Sequence, residues 1–67
     1  MSLGKDHAKI ILEENGERKF LKNIDTENWT YDLTTENDAE LLTVDEVMVD
    51  IKYLRQNEPE KSFVIYA

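Results

Sequence analysis

Residues 8–24 read AKIILEENGERKFLKNI, and this stretch decides the fold. Two apolar runs, Ala8 to Glu14 and Glu17 to Ile24, flank Asn15-Gly16, the dipeptide best suited to a type I′ turn because both central residues need positive φ. A two-residue turn sets the register: Glu14 opposite Glu17, Glu13 opposite Arg18, Leu12 opposite Lys19, Ile11 opposite Phe20 and Ile10 opposite Leu21. One face of the hairpin then carries Ala8, Ile10, Leu12 and Leu21, and this face is expected to form the core. The other carries Ile11 and Phe20 and is expected to be partly covered.

Working outward, Trp29, Tyr31 and Leu33 alternate with Thr30 and Asp32, the period-2 pattern of a half-buried strand. The polar run Thr34 to Asp38 reads as a loop, and Ala39 to Leu42 leads into a helix. Thr43-Val44-Asp45-Glu46 matches the capping box, with Leu42 before it and Val47 after it as a hydrophobic staple. Val44, Val47, Met48, Ile51 and Leu54 follow the 3.6-residue period and predict one buried stripe. Asp45 and Glu46 in the first turn, with Lys52 and Arg55 near the last, suit the helix dipole, and Asn57 and Pro59 end the helix. Ser62 to Tyr66 is apolar at both alternating positions, which predicts a strand covered on both sides or central in a sheet, with a right-handed crossover to an earlier parallel strand as one continuation.

The predicted architecture is therefore α+β in the order β-β-β-α-β: a hairpin and third strand in an antiparallel sheet, one capped amphipathic helix on it, and a C-terminal strand. With 67 residues there is room for a single domain, 1–67. Residues 1–6 are expected to lie outside the folded unit, Met1-Ser2-Leu3-Gly4 having the look of a cloning remnant. The chain has no cysteine and one histidine, which removes disulfides and makes a zinc site a poor reading. No cofactor is expected. The longest apolar runs, Ile10-Ile11-Leu12 and Phe63-Val64-Ile65-Tyr66, fall far short of the roughly 20 residues of a membrane span, so a cytosolic protein without membrane association is expected.

Charge is unevenly placed. Between Lys22 and Lys52 there is no Lys or Arg, while Asp25, Glu27, Asp32, Glu36, Asp38, Glu40, Asp45, Glu46 and Asp50 give this middle a charge of −9 within a chain of net −7. Such a segment repels nucleic-acid phosphate and anionic membrane and attracts basic surfaces. Direct nucleic-acid binding is therefore disfavoured, and the plain reading is a solvated, solubilising face. Two sharper readings stand beside it. The carboxylates could imitate the phosphates of a duplex and occupy the basic groove of a DNA-binding protein, or Asp25, Glu27 and Asn28, or Glu36, Asn37 and Asp38, could supply oxygen ligands to calcium, although the spacing fails the EF-hand pattern.

Catalytic equipment is thin. His7 is the only histidine and reads as an exposed residue at a strand start, Ser2 and Ser62 are the only serines, and the only glycines, Gly4 and Gly16, form no phosphate-binding loop. An enzyme is not expected. Trp29 and Tyr31 read as core residues. On the helix, a rotation of about 100° per residue sets Val49 and Tyr53 opposite the buried stripe, with Asp45, Glu46, Asp50 and Gln56 alongside. An apolar pair rimmed by carboxylates is a plausible docking patch, Tyr being a common interface anchor.

The Asn15-Gly16 hairpin with Lys19-Phe20-Leu21 in its second strand, then Trp29 to Leu33, then Ala39-Glu40-Leu41-Leu42-Thr43-Val44-Asp45-Glu46-Val47 leading into a helix and last strand, resembles small uncharacterised proteins of Gram-positive bacteria and their prophages. The resemblance implies a fold and a mobile-element origin and brings no catalytic or binding residues with it. The leading functional expectation is a non-catalytic interaction module for a basic protein partner, using Val49, Tyr53, Asp50 and Glu46 on the helix and Asp25, Glu27, Asp32, Glu36, Asp38 and Glu40 before it, and homodimeric through a free strand edge. A DNA-mimic inhibitor is the second expectation, and a metal-binding or hydrolytic role the third.

Overall fold

The computed structural model describes residues 7–66, and the expectation for residues 1–6 lies outside them. Strands β1 (His7–Glu14) and β2 (Glu17–Asp25) form the hairpin, with Asn15 at φ 52° and Gly16 at φ 80°, as the turn type requires. The pairs Ile11–Phe20, Leu12–Lys19, Glu13–Arg18 and Glu14–Glu17 match the register read from the turn. Strand β3 (Thr30–Thr34) pairs antiparallel with β2, and the polar run after it forms a 3-10 turn at Glu36–Asp38. A two-residue strand, β4 (Leu42–Thr43), pairs with His7 and Ala8 and leads directly into α1 (Val44–Asn57). Strand β5 (Ser62–Tyr66) completes the α+β fold.

The helix covers one face of the sheet. Ala8, Ile10, Leu12, Leu21, Leu42, Val47, Ile51, Leu54 and Phe63 form the core there, so the hairpin face carrying Ala8, Ile10, Leu12 and Leu21 is the buried one. On the other face Ile11 is also buried, beneath its cross-strand neighbours Phe20 and Val64, and Phe20 meets Tyr66 edge-on at 5.3 Å. His7 is half-buried at the start of β1.

Thr43 caps α1 as its sequence predicts. The Glu46 N–H donates to Thr43 Oγ1 at 3.2 Å and the Thr43 N–H donates to Glu46 Oε1 at 2.9 Å. Leu42 and Val47, the staple pair, are both buried. Because β4 is fixed to β1, this cap also sets where the helix starts on the sheet. Thr43→Ala is expected to cost about 1 kcal/mol, measurable as a lower urea midpoint, whereas Thr43→Ser should stay within a few tenths of wild type.

Three expectations need correction. Strand β5 runs antiparallel to β1, not parallel to an earlier strand: the helix begins beside the start of β1 and travels along it, so the short turn Glu58–Lys61 sends the chain back the opposite way. Nor is β5 central or covered on both sides, since among the described residues it pairs only with β1 and its Ile65 and Tyr66 are exposed. The buried stripe is Val47, Asp50, Ile51 and Leu54, while Val44 and Met48 are 48% and 58% exposed. The helix is rolled about its axis relative to the sequence prediction, which brings Asp50 in and leaves Val44 and Met48 out.

Candidate interaction site

The Asp25–Trp29 loop is built by turn chemistry. Asp25 Oδ1 accepts from the N–H groups of Glu27 (2.8 Å) and Asn28 (3.3 Å), its Oδ2 accepts from Asn28 Nδ2 (3.0 Å), and its carbonyl accepts from the Trp29 N–H (2.7 Å). The Asn28 side chain, followed by the two backbone N–H groups, holds the Asp25 carboxyl below its ordinary range. The loop delivers Trp29 at φ 56°, a left-handed conformation that is costly for a bulky residue. What offsets this cost is packing: the half-buried indole lies against the core and on the Tyr53 ring, centroids 5.2 Å apart and planes 23° from parallel.

The result is a mixed surface on the flank of α1. Tyr53 is 42% exposed and Val49, one turn earlier, 52% exposed. A shallow depression of about 390 Å³ lined by Asn28, Trp29, Thr30, Tyr31, Asn57 and Glu58 adjoins the stack. Its floor is firm, because the Tyr31 hydroxyl donates to Glu58 Oε1 at 2.7 Å and Lys61 Nζ lies 2.9 Å from Glu58 Oε2. Burial, then the Glu58 carboxylate, raises the Tyr31 hydroxyl, and the hydrogen bonds from Lys61 and Tyr31 lower the Glu58 carboxyl.

No protein-family model, curated protein or solved structure matches the chain. The site therefore rests on its own geometry, and that geometry divides the residues singled out from sequence. Val49 and Tyr53 lie on one exposed flank as expected, joined by Trp29. Asp50 does not belong with them: it is 6% exposed and turned into the sheet side of the helix. Its burial, then the nearby carboxylates of Glu46 and Glu40, raises its carboxyl above the ordinary range.

Most of the other carboxylates have local structural work. Glu46 closes the cap. Glu40 Oε1 accepts from the Ile24 N–H at 2.9 Å and the Glu40 N–H donates to the Leu21 carbonyl at 3.0 Å, which ties the approach to β4 onto β2. Asp32 accepts from Asn23 Nδ2 at 3.1 Å, and Asn23, at φ 53°, sits in the irregularity of the β2–β3 ladder. Glu36 accepts from the Tyr66 hydroxyl at 3.0 Å, a bond that raises the Tyr66 hydroxyl, and its carbonyl accepts from Lys9 Nζ at 2.8 Å. Glu27 and Asp38 are exposed.

These acids do not share one surface. Asp32 and Glu36 lie on the face away from the helix, Glu46 and Asp50 on the helix side, and Asp25 and Glu27 in the β2–β3 loop. No set of three or more Asp, Glu or His among the described residues is arranged to hold a metal ion. No helix among them is long and apolar enough to cross a membrane.

Trp29 and Tyr31 are half-buried and pack against the core, as the sequence reading had them in part, but that reading left Tyr53 alone on an outer face and so missed the Trp29–Tyr53 contact. The signal that could have found it is the Asp25-Thr26-Glu27-Asn28 turn pattern, which lifts the chain out of the strand just before Trp29.

Proposed function

We propose that the protein is a non-catalytic interaction module that presents the Trp29–Tyr53 stack and Val49 to a protein partner with a basic contact surface. The observation that carries this reading is the stack itself. The half-buried indole packs against the core from a left-handed Trp29 and holds the Tyr53 ring, 42% exposed, in a fixed position on the flank of α1. Glu27, exposed in the loop that carries Trp29, favours Lys or Arg on the partner, and such a cation can also lie against the aromatic faces. The duplex-imitating alternative requires an array of carboxylates on one surface, and their division between two faces does not favour it. The resemblance to proteins of Gram-positive bacteria and their prophages makes bacterial and phage proteins the natural source of the partner.

The reading is tested by titrating the ¹⁵N-labelled protein with peptides of matched length that carry Lys or Arg beside a hydrophobic residue. Amide shifts should concentrate at residues 27–31, 49–53 and 57–58, and Tyr53→Ala should weaken the interaction by about tenfold or more. Glu27→Lys should weaken it most at low ionic strength. Shifts confined to other residues, or affinities indifferent to both substitutions, would remove the site.

A further inference from the structure

Hairpin geometry fixes which backbone groups of β5 face outward. In a two-residue hairpin the residues flanking the turn, Glu14 and Glu17, form a hydrogen-bonded pair, and such pairs alternate along an antiparallel ladder. Leu12 therefore turns its N–H and C=O toward β2, and Ile11 and Glu13 turn theirs toward β5. Their partners Val64 and Ser62 return those bonds, which leaves the N–H and C=O of Phe63 and Ile65 pointing away from the sheet. The Phe63 carbonyl shows this directly by accepting from Arg55 Nη2 at 2.9 Å.

Apart from the Arg55 guanidinium on the Phe63 carbonyl, this edge lacks the usual defences. Ser62 to Tyr66 contains no charge, proline, glycine or bulge, whereas the opposite edge strand, β3, carries Asp32 mid-strand beside an irregular ladder. The apolar residues that the sequence pattern would bury and the fold leaves out lie on the same side. On a helix turning about 100° per residue, Val44, Met48, Lys52 and Arg55 share one flank. Arg55 places that flank at β5, and Ile65, 38% exposed, faces the same side of the sheet as Phe63. The Trp29–Tyr53 stack is on the other flank.

We infer that the occupant of this edge is a second copy of the chain, paired antiparallel through β5 about a two-fold axis at Ile65. The spacing fits. Strands lie about 4.8 Å apart, so beyond its first turn beside β4, where it lies over β1 and β5, the helix is roughly 5 Å from such an axis and its mate roughly 10 Å away, the separation of packed helices. The charges fit too: the two helices run antiparallel, setting Asp45 in the first turn of one opposite Lys52 and Arg55 toward the end of the other. Met48 meets its own copy at the axis, Val44 lies against the Lys52 stem of the mate, and Val64 pairs with Tyr66. Exposed apolar side chain of roughly 300 Å² per copy, with the strand backbone and the stems of Lys52 and Arg55, brings the joint burial to about 1,000 Å², the threshold of a specific interface.

Sedimentation equilibrium of the full chain from about 10 µM to about 1 mM tests this. The wild type should be a dimer that tightens with added salt, because each copy carries −7. Ile65→Pro removes an outward N–H while sparing the β1 ladder, and Met48→Lys places like charges at the axis. Either should weaken association by roughly 30-fold or more, since each change counts twice in a symmetric dimer. Leu33→Lys at the β3 edge should leave it unchanged. If Ile65→Pro fails to fold by circular dichroism, Met48→Lys decides. A monomer at every concentration, a dimer untouched by Met48→Lys, or one broken only by Leu33→Lys overturns the inference.

Discussion

Phe63→Ala is expected to leave a large fraction of the chain unfolded at 25 °C. Phe63 is almost fully buried, faces Leu12 across the β1–β5 ladder and meets the Tyr31 ring edge-on at 5.8 Å. Truncating a buried Phe costs about 3–5 kcal/mol through lost transfer energy and the cavity left behind. A chain of this length holds only about 3–10 kcal/mol in total, by the usual 0.05–0.15 kcal/mol per residue. No disulfide limits its unfolded state. Urea unfolding followed by far-ultraviolet circular dichroism should show the loss, with Phe63→Leu far milder because it preserves most of the volume. An alanine variant within about 1 kcal/mol of wild type would mean that Phe63 is not the keystone of this core.

Asp50→Asn is expected to do the opposite and stabilise the fold at neutral pH. The carboxylate is held largely out of water beside Glu46 and Glu40, so its folded-state carboxyl titrates above the ordinary 3.8. Ionisation therefore costs more in the folded than in the unfolded chain. The penalty is fully present above the raised folded value, shrinks as pH falls through it, and is gone below 3.8, where both states are protonated. Asparagine removes the charge at every pH with little change in shape. The gain should be on the order of 1 kcal/mol at pH 7, a rise of several degrees in Tm for a chain this small, and should disappear toward pH 3. A constant gain across that range would assign the effect to packing, and a loss would mean that the ionised carboxylate has a favourable role.

What was legible in the sequence was local. Asn15-Gly16 dictates a turn and, through it, the pairing of Ile11 with Phe20 and the burial of Ile10 and Leu12; Thr43 and Glu46 dictate a cap; Pro59 limits the helix. How the helix rolls on the sheet was not legible, because it depends on β4 gripping His7 and Ala8 and on Trp29 pressing against Tyr53, contacts between residues far apart in sequence. Those contacts exchange Asp50 for Val44 and Met48 in the buried stripe. The direction of β5 was hidden for a related reason: a strand after a helix can return either way, and only the place where the helix begins decides. At the interaction site, Val49 and Tyr53 were legible from the wheel. The role of Glu40 was not, since its bond to Ile24 spans 16 positions and no local pattern announces it.

Trp29 is the only tryptophan in the chain, and it sits on Tyr53 at the surface proposed to meet a partner. The molecule thereby carries its own optical reporter. Emission excited at the red edge of the indole band arises from this one ring, so docking at the stack changes its colour and quenching without any label. Unfolding shifts the same band as the ring leaves the tyrosine for water. Occupancy and folding can thus be followed in one cuvette, and Tyr53→Ala, which removes the stacked ring, shows how much of the signal belongs to stacking.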